Sequence, residues 1–162
     1  MNKLPSVGVP SSDGEPRPAA VDVFETILLA TDLAPASATA TERAVQLAAR
    51  LGARLLVVNV MDRHRLDGLG DHERIDQARA ERERALLDLV RDARAAGARA
   101  EFIVWEGEPA SALRAAVMAE HADLLVVGTR GRDRAGRMLL GSVSDDLVRN
   151  AGCPVLVVRP TT

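Results

Sequence analysis

Four positions in the second half of the chain have a spacing that suits phosphate chemistry. Gly128 and Gly131 stand three apart, and nine residues further on come Gly141 and Ser142. Gly128 closes the apolar run "DLLVV", so the chain can turn sharply there. Gly131 has no Cβ and lets backbone come close to a ligand. Gly141-Ser142 opens a helical pattern, and a helix N-terminus offers unpaired N–H groups and the positive end of its dipole to an anion. Ser142 adds a hydroxyl, and Asp145 stands three residues later, as in a capping box. Spacing alone leaves a plainer reading open, in which the glycines make turns and Ser142 only caps the helix.

The same stretch contains a false lead. Gly131 to Met138, "GRDRAGRM", has the G-x-x-x-x-G spacing of a P-loop. That motif needs a Lys on the β/γ-phosphates and a Ser or Thr on Mg²⁺. Here Arg137 and Met138 occupy those places, and the helix starts about five residues beyond Gly136. No catalytic residue is assigned. His64, His72 and His121 are scattered, and His72-Glu73 lacks the second His of a zincin helix. Ser142 has no His at a spacing that points to a nucleophile–base pair. No Cys/His cluster exists, so no metal site is expected. Asp133 is the loop's carboxylate, and nothing in the sequence sets it beside a γ-phosphate.

Five apolar strands must position these residues. They are read in "FETILLATD", "RLLVVNVMD", "RAEFIVWEG", "DLLVVG" and "PVLVVRP". Uniformly apolar runs fit strands buried on both faces. Between them the periodicity predicts four helices. The first has Thr39 and Glu42 as a capping box, Ala44, Val45, Leu47, Ala48 and Leu51 on its apolar stripe, and Gly52 as its stop. The second runs from about Asp71 to Ala96, with Ile75, Ala78, Arg82 by its stem, Ala85, Leu86, Leu89, Val90 and Ala93 facing inward. The third is opened by Gly107 and Pro109 and runs to about Glu120. The fourth spans about Ser142 to Ala151. This β-α alternation implies an α/β fold: a doubly wound, five-stranded parallel sheet, Rossmann-like, with helices on both faces. Ligands in such sheets bind outside the C-terminal strand ends. Asp32, the residues after Val60, and Gly128 all stand there. Asp32 can equally cap a helix.

The bulk numbers narrow the function classes. The chain has 162 residues, which fits one domain, read here as residues 23–162. Residues 1–22 hold Pro5, Pro10, Pro16 and Pro18 among Ser, Gly and charged groups, and are expected to form a disordered arm. Aromatic residues make up 2% and the net charge is −2. The first argues against stacking platforms for single strands, and the second against a DNA or anionic-membrane footprint. Neither nucleic acid nor membrane is an expected partner. No apolar run approaches a membrane span, and the polar N-terminus is unlike a signal peptide, so a cytoplasmic location is expected. Cys153 is the single cysteine, which fits a reducing compartment.

The stretch from about Ile27 to Pro160 resembles the universal stress protein family. "ILLATD", "LLVVNVMD", "EGEPASAL", "ADLLVVGTRGRDRAGRMLLGSVSDDLV" and "CPVLVVRP" follow the family's order. Gly128, Gly131, Gly141 and Ser142 match its ATP-binding signature, G-2x-G-9x-G-(S/T), in full. The resemblance implies strand order 3-2-1-4-5 and an adenine-nucleotide ligand, ATP or else AMP or cyclic AMP. Mg²⁺ or Mn²⁺ would enter only through the phosphates. It implies Asp32 near adenine and ribose, Val60 lining the adenine pocket, and Gly128, Gly131, Gly141, Ser142 and Val143 holding ribose and phosphates. Ala30, Thr31, Thr129 and Ser144 complete the implied set, and Arg130 and Arg132 flank the phosphate path. The family often follows the first-strand Asp with Gly-Ser or Phe-Ser, whereas this chain has Leu33-Ala34. It commonly dimerises through the last strand, which implies a homodimer through residues 154–159. The output implied is nucleotide-dependent binding or signalling in a stress response, with slow ATP hydrolysis in the same pocket or a non-nucleotide dimeric interaction module as rivals.

Overall fold

The computed structural model describes residues 24–62, 72–129 and 141–160. The expected N-terminal arm, residues 1–22, lies outside them. The chain runs through β1 (Thr26–Ala30), a 3-10 turn (Pro35–Ser37), α1 (Ala38–Leu51), β2 (Arg54–Asp62), α2 (His72–Ala95), β3 (Arg99–Gly107), α3 (Pro109–Ala119), β4 (Leu124–Gly128), α4 (Ser142–Asn150) and β5 (Val155–Val158). The strands form one sheet in the order β3-β2-β1-β4-β5. Every pairing is parallel, as the apolar runs and crossover helices anticipate.

Alternation along the strands divides the core in two. Ile27, Leu29, Leu55, Val57 and Val126 face α1 and α2, meeting Ala40, Ala44, Ala48, Leu86 and Val90. Leu28, Leu56, Val58, Leu125 and Val127 face α3 and α4, meeting Leu113, Ala116, Val117 and Leu147. Because β1 is covered on both sides, Ile27, Leu28 and Leu29 are all fully buried. The small ridge Ala40, Ala44, Ala48 lets α1 lie close to the sheet.

Several local expectations change. No Thr39–Glu42 capping box forms, because α1 already starts at Ala38, with Ser37 as N-cap and no side-chain cap bond. Thr39 therefore lies inside the first turn. Leu51 is 47% exposed, since the alanine ridge rather than the larger residues meets the sheet. In α2 only Leu86, Val90 and Ala93 are buried, and Ala85 is exposed. Strand β3 is not uniformly buried: it pairs with β2 alone, and Arg99, Glu101 and Glu106 are exposed along it. Strand β5 forms the other sheet edge, as expected. In the β2–β3 register Val60 stands beside Trp105.

The α3 start is more specific than the Gly107-Pro109 pattern indicates. Glu108 is the N-cap, and its carboxylate accepts from Ala110 N at 3.0 Å and Ser111 N at 2.8 Å. These bonds, that from Ser111 foremost, hold the Glu108 pKa below its ordinary value. Gly107 has φ +148, a backbone setting that side chains rarely adopt.

Candidate functional site

The sequence brings β1 between β2 and β4, and the connections leave the sheet on opposite faces at that point. A crevice must open there between the C-terminal strand ends. The structure has a cavity of about 430 Å³ at this place. That falls in the usual range for small-molecule sites.

The β1 end is built as a rigid turn. Thr31 N donates to Val58 O at 3.1 Å, and Leu33 N donates to Thr31 Oγ1 at 3.1 Å. Thr31 Oγ1 and Ser37 Oγ are 3.1 Å apart, and Ser37 Oγ lies 2.7 Å from Ala34 O. Since a carbonyl only accepts, Ser37 spends its proton on Ala34, and Thr31 must donate to Ser37. Each hydroxyl in this chain thus has a fixed direction. Leu33 has φ 62, the left-handed region, which this network over-determines. Asp32 is exposed and lines the cavity, and its Oδ1 accepts from Ala34 N at 3.0 Å. It makes a local turn rather than capping a helix.

From β2 come Val58, Asn59, Val60 and Asp62. Asn59 is 2% exposed, and its Nδ2 donates to Thr31 O at 2.9 Å. From the β4 end come Val127, Gly128 and Thr129, with Thr129 N bound to Val158 O at 2.9 Å. Ser144 Oγ donates to Gly128 O at 3.1 Å and ties α4 to the strand end. Val143, Leu147, Leu113 and Pro109 form an apolar wall on the α3–α4 side, and Ala78 and Arg82 of α2 stand across from it.

Two buried side-chain polar atoms among the described residues have no hydrogen-bond partner: Asn59 Oδ1 and Thr129 Oγ1. Both belong to residues that line this cavity. Elsewhere in the described core such groups are satisfied, as burial demands. The two atoms are themselves buried, so their unmet hydrogen bonds mark a polar layer beneath the cavity wall rather than contacts open to a ligand.

Of the residues singled out from the sequence, Ala30, Thr31, Asp32, Val60, Gly128, Thr129, Val143 and Ser144 line the cavity together. Gly141 is the N-cap of α4, and its carbonyl accepts from Asp145 N at 2.9 Å. Ser142 is exposed at the first helical position and is not part of the lining. It does not cap, because the cap falls one residue earlier, and Asp145 pairs instead with Arg149 at 3.1 Å. Arg130, Gly131, Arg132, Asp133 and the P-loop-like stretch to Met138 lie outside the described residues, as does His64. Asn59, Ser37, Asp62, Pro109 and Leu113 were not singled out as site residues. Asn59 carried a visible signal, being an amide inside the apolar run "RLLVVNVMD". Arg82 was read as an inward-facing stem, and its helix position does bring it to the cavity.

Among the described residues no three His, Cys, Asp or Glu side chains gather as a metal site, and no helix is long and apolar enough to cross a membrane. Cys153 lies outside the cavity lining, packed against the α3–α4 core, where burial raises its thiol pKa.

Residues 24–159 match the universal stress protein family. A universal stress protein from Thermus aquaticus, encoded in the QAH/OAS sulfhydrylase 3′ region, is 37% identical over 147 residues, covering 85% of this chain and all of that one (100%). The structure is similar to universal stress protein UspA from Lactobacillus plantarum, with TM-score 0.73 and 25% identity over 84% of this chain and 98% of that one. A universal stress protein solved in complex with cAMP is 32% identical, with TM-score 0.66, covering 84% of this chain and 97% of that one.

Proposed function

The chain belongs to the universal stress protein family, and from that premise we propose that it binds an adenine nucleotide, with ATP as the ligand that its glycine signature favours. The observation that carries this reading is the cavity at the β1–β4 switch point, where Asp32, Val60, Gly128 and Val143 line one space. The relative that binds cAMP supports an adenine ligand. In this reading the base lies in the apolar slot beside Val60, and the ribose hydroxyls donate to Asp32. The phosphates lie toward Gly128, Gly131, Gly141, Ser142 and Val143, where the α4 N-terminus offers free N–H groups. Thr129, Arg130 and Arg132 flank that path. Ala30, Thr31 and Ser144 hold its frame. Mg²⁺ or Mn²⁺ would be held only through the phosphates and would supply charge neutralisation there. The fixed hydroxyl directions of Thr31 and Ser37 keep the β1 turn set before ligand arrives, so little ordering cost remains for binding.

The proposed output is nucleotide-dependent binding or signalling under stress, from a homodimer paired through residues 154–159. Calorimetry with ATP, AMP and cyclic AMP tests the reading, together with mass spectrometry for nucleotide that co-purifies. Saturable heat with at least one of the three is expected. No heat from any of them would overturn it. ADP release from ATP, abolished by Asp133→Ala, would replace pure binding with slow hydrolysis.

A further inference from the structure

The cavity crosses three strands, and its two ends differ. Strand β2 contributes Val60 and Asp62 at one end, and β4 contributes Gly128 and Thr129 at the other. With strands about 4.8 Å apart, these ends are separated by roughly 10 Å, near the span of a nucleoside monophosphate. The α4 N-terminus stands at the β4 end and favours anions there. The base is thereby left the β2 end, where α2 forms the facing wall through Ala78 and Arg82.

That wall has an uncommon composition for a base site. No aromatic side chain lines the cavity among the described residues. Phe24 and Phe102 pack against the α1–α2 core, and Trp105 packs against the other. A planar cation over the π-face of a base is a favourable contact. Arg82 is half-buried in the wall, and its guanidinium is anchored by one bond, Nη1 to Ala78 O at 3.0 Å. A guanidinium is planar and stacks flat on π-systems, whereas an ammonium meets them only as a compact, strongly hydrated point charge. Among the described lining residues the other charges are the carboxylates of Asp32 and Asp62.

We propose that Arg82 covers the face of the bound base, so that α2, through a guanidinium rather than an aromatic ring, contributes to the choice of ligand. This deepens the nucleotide reading and rests on it. The test is calorimetry of the whole chain with adenosine, AMP and ATP, for the native protein, Arg82→Ala and Arg82→Lys. A base contact predicts that Arg82→Ala weakens all three ligands by one common factor, about three- to thirty-fold. Arg82→Lys, which keeps the stem and the charge, should recover little of it. A loss that grows from adenosine to AMP to ATP and is restored by Lys would make Arg82 a phosphate contact and overturn the proposal. Unchanged binding by Arg82→Ala would also overturn it. If the native protein binds none of the three, the nucleotide reading fails with it, which is a separate outcome from failure of the variants alone.

Discussion

Asn59 and Thr31 are joined across the β2–β1 boundary: the Asn59 amide donates to the Thr31 carbonyl at 2.9 Å, one residue beyond the point where Thr31 N reaches Val58 O at 3.1 Å. The bond is buried and extends the strand pairing by a side chain after the regular ladder stops at Ala30. It holds the peptide immediately before Asp32. Asn59→Ala leaves the Thr31 carbonyl without this donor, which should lower stability by about 1–3 kcal/mol. Urea unfolding measures it, and nucleotide affinity should fall in the same variant because the β1 turn loosens.

Asp32 has one local bond and one proposed contact, to the ribose. Its Oδ1 accepts from Ala34 N, a bond that Asn can also make. Asp32→Asn should therefore keep stability within about 0.5 kcal/mol of the native chain. It should still weaken nucleotide binding about tenfold, because a neutral acceptor replaces a charged one beside the ribose. Asp32→Ala should lower both. Parallel thermal melts and calorimetry distinguish the two.

At Gly128 an added Cβ would meet Ala40 Cβ at 3.5 Å, Ser37 Cα at 3.7 Å and Ala36 O at 3.9 Å, all ordinary contacts. Gly128→Ala should fold with a stability change below about 1 kcal/mol. Ser37 and Ala36 also line the cavity, so the new methyl occupies its floor. ATP affinity should drop about tenfold, the cost of mild overpacking against a ligand. Loss of fold rather than of binding would show that the glycine serves the scaffold.

The Glu108 cap gives the fold an acid-sensitive point. Its pKa lies below the ordinary value of 4.5 because the charged form accepts the α3 amides, Ser111 N foremost. A lowered folded pKa means stability that is present above the ordinary value and is lost as pH falls through the folded one. Glu108→Ala should cost about 1 kcal/mol at pH 7, a typical N-cap contribution. That difference should shrink as pH falls below the ordinary carboxylate range and through the lowered folded pKa, where the native Glu108 is itself protonated. Urea melts at pH 7 and pH 3 measure both.

How much of this the sequence discloses depends on the range of the interaction. The strands and their parallel order follow from apolar runs such as "TILLA" and "LLVVG", since burial on both faces leaves no polar positions. The edge character of β3 is visible only weakly, in Arg99, Glu101 and Glu106. Asp32, Val60 and Gly128 converge because each stands within two residues of a C-terminal strand end, and strand ends share an edge of the sheet. Asn59 and Arg82 converge for a different reason. One needs the β1–β2 register and the other needs the rotation of α2 over the sheet, and periodicity fixes neither. The Thr39 and Ser142 caps were misplaced by one or two residues, because Ser and Thr suit a helix's first turn as well as its cap.

The neighbour of Val60 across the β2–β3 register is Trp105, the single tryptophan of the chain. With no tyrosine present, nearly all near-ultraviolet emission originates one strand away from the proposed base slot. The protein thus carries its own optical gauge. If the base takes the proposed slot, the emission of this ring would follow its occupancy in the unlabelled chain, and the same ring reports unfolding of the half-core it packs against.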